Sequence, residues 1–361
     1  MGTFDVIIVG AGPAGVASAL KCTKKGYNTL LLEKEPPGRH KPCGGITPTL
    51  FANLLEDEFG LRLPPDVMCS PKTLGLFYVP PSGRANGGDL RNYKLFNLDR
   101  DRLDQWLCQT AEGSGVKVLY GAQFLEFHRS GMIKVMVKGK KSITELKSRY
   151  LIGADGVLSK VRRQLYPNLE WKMLKIIQEY WQAKGDFDEY FYVFLKGDIT
   201  PSYAYLIPKN GLFVIGTGAP MRYSVSIHRC LGAFKEWLGQ EFSFRPLSLE
   251  RKEIGIIPYH SPLKGKGNVI LVGDAAGFCN SFSGEGIRLA LESGIAASEA
   301  ITQAEQSGGR LSSLYAQQVK GLSEFIRKTY RFSIALSDRE REKFVATQLK
   351  RPHSLSIQQG R

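Results

Sequence analysis

No two of the six cysteines, at positions 22, 43, 69, 108, 230 and 279, form a Cys-x-x-Cys pair. That spacing commonly opens a zinc or iron–sulfur site, so neither is expected. Scattered thiols in a reducing compartment predict no disulfides. The five histidines, at 40, 128, 228, 260 and 353, show neither metal spacing nor a catalytic triad. No uninterrupted apolar run reaches the roughly 20 residues that span a bilayer. The apolar stretch Phe4–Val9 runs straight into a glycine turn, with no basic leader or cleavage site. These absences predict a cytoplasmic chain that carries no cluster of its own to relay electrons. Internal repeats and low-complexity tracts are also missing, apart from the tail after Pro352.

What is present is an ordinary folded composition, 43% hydrophobic and 23% charged over 361 residues. This length suits two closely joined domains or one large α/β domain. The net charge is +15. Nucleic acid is not expected as a partner, because the basic residues are dispersed and no nucleic-acid module is visible. An anionic membrane surface or a phosphorylated lipid is one reading of the charge. It would place the protein at the inner face of the membrane. A plain basic, soluble surface is the other.

Residues 4–9 are a short apolar run, as in a buried parallel strand. Gly10-Ala-Gly12-Pro-Ala14-Gly15 follows, then a helix from Val16 to Lys25, stopped by Gly26, and a second strand over 28–33. In this strand–turn–helix–strand unit Gly10 permits the tight turn, Gly12 admits a pyrophosphate and Gly15 lets helix and strand touch. The helix start offers free N–H groups and a positive dipole end. Pro13 and Ala14 line the pyrophosphate path. Glu33, at the end of the second strand, is spaced to accept from ribose hydroxyls and disfavours a 2′-phosphate. The unit alone does not separate NAD from FAD.

Two later strands end in carboxylates. Leu151-Ile-Gly-Ala-Asp155-Gly156 continues to Ser159 and Arg162, and Val269-Ile-Leu-Val-Gly273-Asp274 leads into Ala-Ala-Gly. The carboxyl edge of an open α/β sheet is where ligands sit. Asp274 can accept hydrogen bonds from a polyol. Gly284-Glu-Gly286-Ile287 then opens a long helix whose N–H groups can stabilise negative charge on a reduced flavin.

In order and spacing these motifs resemble the single-component FAD oxidoreductases related to aromatic hydroxylases, over nearly the whole chain. The resemblance implies FAD as cofactor and an α/β fold. A discontinuous Rossmann-type FAD-binding domain (1–67, 97–170 and 264–305) would be joined to an antiparallel-sheet substrate domain (68–96 and 171–263), as in p-hydroxybenzoate-hydroxylase-like flavoproteins. A C-terminal helical segment (306–361) follows, with helical spacing from Leu311 to Ala335. The resemblance also implies that Asp274 contacts the ribityl chain, that Asp155 lies near the cofactor and that Ala122 contacts adenine through its backbone. Arg100 matches the arginine of the family's helix-start motif, with Arg102 as competitor.

Lys41-Pro42-Cys43-Gly44-Gly45 resembles a segment of the geranylgeranyl reductases. Tyr203-Ala-Tyr205-Leu-Ile207-Pro208-Lys209 resembles their Tyr-x-Trp-x-Phe-Pro-Lys, with Tyr for Trp and Ile for Phe. The nearest match is the short bacterial CbrA-like branch, through residues 63–67, 161–167 and a segment near 219–221. This implies hydride addition to C=C bonds of an isoprenoid or other hydrophobic substrate. An external donor, NADPH or a ferredoxin-like protein, would reduce the flavin. Cys43 and Gly44 would approach the ring, with Cys43 delivering a proton or gating motion, and Tyr205 would line the substrate tunnel. Tyr190, Phe191, Tyr192, Phe194 and Tyr203 line the same tunnel or fill a sheet core. A flavin-dependent monooxygenase or halogenase, and a flavin- or lipid-binding protein without turnover, are the rival readings. The C-terminal helix, with Arg327, Lys328 and Arg331 beside Phe325, Ile326 and Tyr330, rests on a membrane or packs on the body.

Overall fold

The computed structural model describes residues 2–221, 225–334 and 336–350. Ala335, His353 and the tail after Pro352 lie outside the described residues.

Five strands run parallel at the heart of the first sheet, in spatial order β17 (Val269–Leu271), β10 (Ile143–Gly153), β1 (Thr3–Val9), β2 (Thr29–Glu33) and β7 (Lys117–Tyr120). β1 lies in the middle, which is why Val6, Ile7 and Ile8 are fully buried and the sequence there does not alternate. β16 (Gly265–Lys266) pairs antiparallel with β17, and the hairpin β8 (Gln123–Ser130) and β9 (Met132–Lys138) extends from β10. Because the central strands are parallel, Gly10, Glu33, Ala154 and Val272 all emerge at one edge.

Helix α1 (Pro13–Lys24) leaves β1 and packs on α7 (Ile287–Ser307). The two backbones nearly touch: a side chain at Gly294 would collide with the carbonyl of Ala14, and Ser18 Oγ donates to the Gly294 carbonyl at 3.1 Å. α2 (Leu50–Phe59) adds Phe51 and Leu55 to the same core, and α3 (Arg100–Gly113) adds Leu103 and Leu107. Two short helices, α4 (Lys160–Leu165) and α6 (Gly273–Ala276), follow β10 and β17; Asp155 lies in the turn before α4 and Asp274 in the first turn of α6.

The second sheet has nine strands. Its path is β15 (Arg245–Pro258), β11 (Met173–Lys184), β14 (Leu212–Pro220), β13 (Ala204–Lys209), β12 (Tyr190–Phe194), β4 (Met68–Val79), β6 (Leu95–Leu98) and β3 (Ile46–Pro48), with β5 (Gly88–Asp89) on β4. All pairs are antiparallel except β12 with β4. The β13–β14 turn is Asn210-Gly211, both with positive φ (53° and 79°), as a two-residue hairpin requires.

Period two divides this sheet's residues between its faces. Tyr192, Phe194, Leu206 and Ile215 face α5 (Ile227–Phe242) and its Leu231, Phe234 and Trp237. Leu74, Tyr180, Tyr205 and Ile207 form the other face, with Phe191 and Tyr203 against them. Of the six aromatics read as tunnel or core, Tyr190, Tyr192 and Phe194 therefore belong to the α5 core, while Phe191, Tyr203 and Tyr205 face away from it.

Two local expectations are corrected. The Pro- and Gly-rich stretch 36–48, whose composition suits a loop throughout, ends instead in β3, because Ile46–Pro48 finds a partner in β6. The helical stretch expected from Leu311 breaks at Val319 into α8 (Leu311–Gln318) and α9 (Lys320–Ile334). α8 packs on α7, and α10 (Asp338–Lys350) sets Val345 against Tyr78 and Leu95 of the second sheet.

Candidate active site

The glycine turn sits where β1 ends. Gly10 has φ +103°, and a side chain on Gly15 would collide with the Gly10 carbonyl, so neither position accepts a Cβ. Glu33 braces the turn: Oε2 accepts from the Ala11 amide at 2.9 Å and Oε1 from the Glu35 amide at 3.1 Å. The Ala122 amide donates to the Glu33 carbonyl at 2.9 Å, which ties the end of β7 to the same corner. Arg39, which sequence reasoning missed, has its Nη2 3.5 Å from where a Gly12 Cβ would stand. That guanidinium is held by Asp104 at 2.9 Å and lies 3.5 Å from Glu33. The only signal for it was the basic run Arg39-His-Lys41 in the glycine-rich loop.

Helix starts differ in a telling way. Asp99, Ser159 and Ser226 cap α3, α4 and α5 with side-chain hydrogen bonds. α1 and α7 begin at Gly12 and Gly286 with no side-chain cap and no acid in the first turn; α2 and α8 are uncapped too, but of these four only α1 and α7 start at a glycine. Both positive ends are thus left for an outside acceptor. Between them stands Asp274, whose Oδ2 accepts from Lys41 Nζ at 3.2 Å; a Cβ on Gly286 would lie 3.5 Å from Oδ1. Ile287 is buried beneath Gly286. Asn280 shapes the approach to α7 by accepting at Oδ1 from the amides of Phe282 (3.0 Å) and Ser283 (3.2 Å). These residues form a track from Glu33 past Gly12 and Asp274 to Gly286. It suits an extended dinucleotide: ribose acceptor, two free helix ends for phosphate and ring, and a polyol acceptor between.

Asp155 has a different immediate role. It accepts from Ser159 Oγ (2.5 Å) and the amides of Lys160 (2.7 Å) and Val161 (3.2 Å), so it organises the start of α4. Burial pushes its carboxyl above the usual range, although these hydrogen bonds pull it down. Arg162, also missed, ties this turn to the Asp274 turn. It donates to the carbonyls of Ala275 (3.0 Å) and Val157 (2.7 Å) and stacks on Trp171, 3.8 Å from the ring centre. Burial lowers its guanidinium to about 10.

The Cys43 loop joins the two sheets. Cys43 Sγ accepts from Arg100 Nη1 at 3.3 Å and from the Gly45 amide at 3.4 Å. Arg100 is buried, and its Nη2 donates to Asp104 at 2.9 Å. Burial works against its charge, but Asp104 and Cys43 hold the guanidinium above the usual arginine value. The competitor Arg102 lies outside, donating to the Asp66 carbonyl at 3.1 Å. A Cβ on Gly44 would lie 3.0 Å from Ile207, so the loop touches the apolar face of the second sheet. There Tyr205 crosses Gly216, where a Cβ would collide with its ring, and its hydroxyl donates to Gln178 Oε1 at 2.8 Å. Burial holds this phenol well above its ordinary value. Tyr203 reaches from β13's start to the Ser283 carbonyl at 2.6 Å.

Beside Cys43 opens a cleft of about 390 Å³, lined by His40, Arg100, Tyr180, Lys209 and Arg251 among others. Lys209 is buried and donates to the Leu98 carbonyl at 2.9 Å, with Cys69 Sγ at 3.6 Å. Burial pushes its ammonium below the usual lysine value.

This fold and this track define a flavoprotein oxidoreductase whose cofactor is FAD. The family model for the FAD binding domain matches residues 3–193. Protein CbrA of Escherichia coli O9:H4 (strain HS) is 31% identical over 302 residues, covering 80% of this chain and 79% of that protein. The chain belongs to this family of FAD-binding proteins. Among solved structures, a geranylgeranyl bacteriochlorophyll reductase-like protein from Thermoplasma acidophilum superposes with a TM-score of 0.78 at 20% identity, covering 97% of this chain and 92% of that one. The myxobacterial chondrochloren halogenase CndH gives 0.73 at 16% identity, with 97% and 91% covered. Both share the fold.

Proposed function

We propose that this FAD-dependent oxidoreductase reduces C=C bonds of an isoprenoid chain. The observation that carries this reading is the contact between the Cys43–Gly45 loop and the apolar face made by Leu74, Tyr205 and Ile207. A face of that composition suits a hydrocarbon chain. When bound, reduced FAD supplies the hydride. The chain itself has three tasks. Asp274, Lys41 and the two uncapped helix ends hold and orient the cofactor. The aromatic and aliphatic wall excludes water from the reacting carbon. Cys43 holds a proton at Sγ: the sulfur accepts from Arg100 and Gly45, which leaves its own hydrogen for an acceptor in the cleft. Tyr205 shapes the wall, since its hydroxyl proton is committed to Gln178. An external donor, NADPH or a ferredoxin-like protein, reduces the flavin.

The test is anaerobic stopped-flow with photoreduced holoprotein and geranylgeranyl lipids. Substrate-dependent reoxidation of the flavin, with gain of one H₂ per reduced bond by mass spectrometry, is the expected result. Turnover only in air, with oxygen from ¹⁸O₂ in the product, would overturn the reductase reading in favour of a monooxygenase. No reoxidation under either condition would favour a protein that binds flavin or lipid without turnover.

A further inference from the structure

One surface feature has no part in holding FAD. Helix α9 sinks Ser323 and Ile326 into the body and fixes Tyr330 against Tyr259, with ring centres 5.0 Å apart. Its other side carries Phe325 and Phe332, 38% and 39% exposed. Seven residues apart, they fall on one stripe, and Lys328 stands between them, three after the first and four before the second. Lys320, Arg327 and Arg331 bring α9 to four bases against one acid, Glu324. The acids of α10 are engaged elsewhere: Asp338 accepts from the Gly197 amide at 2.8 Å, Glu342 from the Ser82 amide at 2.5 Å and Glu340 from Ser337 at 2.7 Å.

The stripe is also one end of an aromatic seam that leads inward. Phe332 packs on Phe282 with ring centres 5.2 Å apart and on Phe344 at 5.3 Å. Phe282 and Tyr203 line one small cavity of about 20 Å³, together with Ser333 and Leu336 beneath α9. Tyr203 in turn lies 6.1 Å from Tyr205 on the apolar wall. Phe332 and Phe282 thus lead from the surface of α9 to the cavity that Tyr203 also lines, and Tyr203 stands beside the apolar wall.

We propose that α9 docks on an anionic lipid bilayer, with Phe325 and Phe332 inserted among the acyl chains and Lys328, Arg331, Arg327 and Lys320 on the phosphates. The Phe332–Phe282 seam is then the way by which a lipid chain passes from the bilayer toward Tyr203. Exposed aromatics flanked by bases are what an interfacial helix needs, and the chain's charge of +15 draws it to such a surface. A bilayer is chosen over nucleic acid because the bases alternate with buried-seeking phenylalanines rather than with polar side chains. The doorway part rests on the reading that the site takes a lipid; the docking part does not, and vesicle binding is read without turnover.

The experiment floats FAD-loaded full-length protein with vesicles of phosphatidylcholine, with and without phosphatidylglycerol. The protein is expected to float only with the anionic vesicles, less so as salt rises. Phe325→Ser with Phe332→Ser, and separately Lys328→Glu with Arg331→Glu, are each expected to lower partitioning about tenfold or more. Phe332→Trp is expected to be quenched by brominated acyl chains more strongly than the wild-type tryptophans. Because Phe332 also packs on two rings, Phe325→Ser alone serves if the double variant does not fold. Failure of the wild type to bind anionic vesicles would overturn the proposal. So would variants that bind as wild type, or an equal affinity for DNA that ignores the phenylalanine changes.

Discussion

At the scale of single residues, the site contrasts a thiol with a phenol. Cys43 receives hydrogen bonds at sulfur, whereas Tyr205 gives its hydrogen to Gln178, and in the proposed function it is the thiol that holds the proton for the substrate. Cys43→Ala is therefore expected to lower turnover about 100-fold with FAD content unchanged, the range for a positioned acid. Tyr205→Phe is expected to cost ~1–3 kcal/mol of stability, because Gln178 Oε1 loses its partner, yet to change turnover less than about threefold. Steady-state rates beside chemical denaturation separate the two, and reversed effects would move the proton donor to Tyr205. Lys209 gives a second residue-level prediction. Burial depresses its folded pKa below the unfolded value of 10.5. Between those values the unfolded chain binds more protons, so this group's contribution to stability rises with pH across the window. Measured against Lys209→Met, the wild type is expected to gain unfolding free energy as pH climbs toward 10.5. A flat difference would mean that the ammonium titrates alike in both states.

Elements carry the site through close backbone approach, and that is also where the sequence was most readable. The α1–α7 crossing depends on Gly294 having no side chain over the Ala14 carbonyl. Gly294→Val is expected to destabilise by about 3 kcal/mol and to weaken FAD binding together with it, because α1 and α7 both lose their aim. Thermal melts with and without FAD check this, and an unchanged melt would show that the helices can separate freely. Gly10, Gly12, Gly15 and Glu33 were legible because one strand–turn–helix–strand unit spaces them locally. The Asn210-Gly211 turn follows from residue type in the same local way, since its positive φ values select Asn and Gly. Arg39 and Arg162 were not legible, since their roles come from partners 65 and 113 residues away, Asp104 and Ala275. The same holds for β3, three residues whose pairing with β6 no local pattern announces. The aromatic run over 190–205 allowed either a tunnel wall or a sheet core, and alternation sends half of it to the α5 core. Only the strand order reveals which half faces the Cys43 loop.

The whole molecule is two sheets sewn together where the flavin track runs. The chain crosses between them repeatedly, and side chains close the seam. Tyr203 donates across to the Ser283 carbonyl at 2.6 Å, while Asn97 Nδ2, donating to the carbonyls of Pro71 and Pro208, both at 3.0 Å, and Lys209, donating to Leu98, tie β6 to β4 and β13 within the second sheet. His40, with Asp101 at 2.7 Å and Glu253 at 3.1 Å, spans from α3 to β15. With these crossings the two sheets are expected to unfold together. If FAD lies along the first sheet with the Cys43 loop between it and the second, as the proposed function has it, its binding is expected to stabilise both at once. A ligand at 100 times its Kd adds ~2.7 kcal/mol. For a chain of this size that corresponds to a rise in Tm of about 4 °C. Differential scanning calorimetry should show one endotherm that moves as a whole when FAD is added, and Asp274→Ala should move little at the same concentration. Two endotherms, with only one responding, would mean that the seam does not couple the sheets and that the substrate wall is free to move independently of the cofactor.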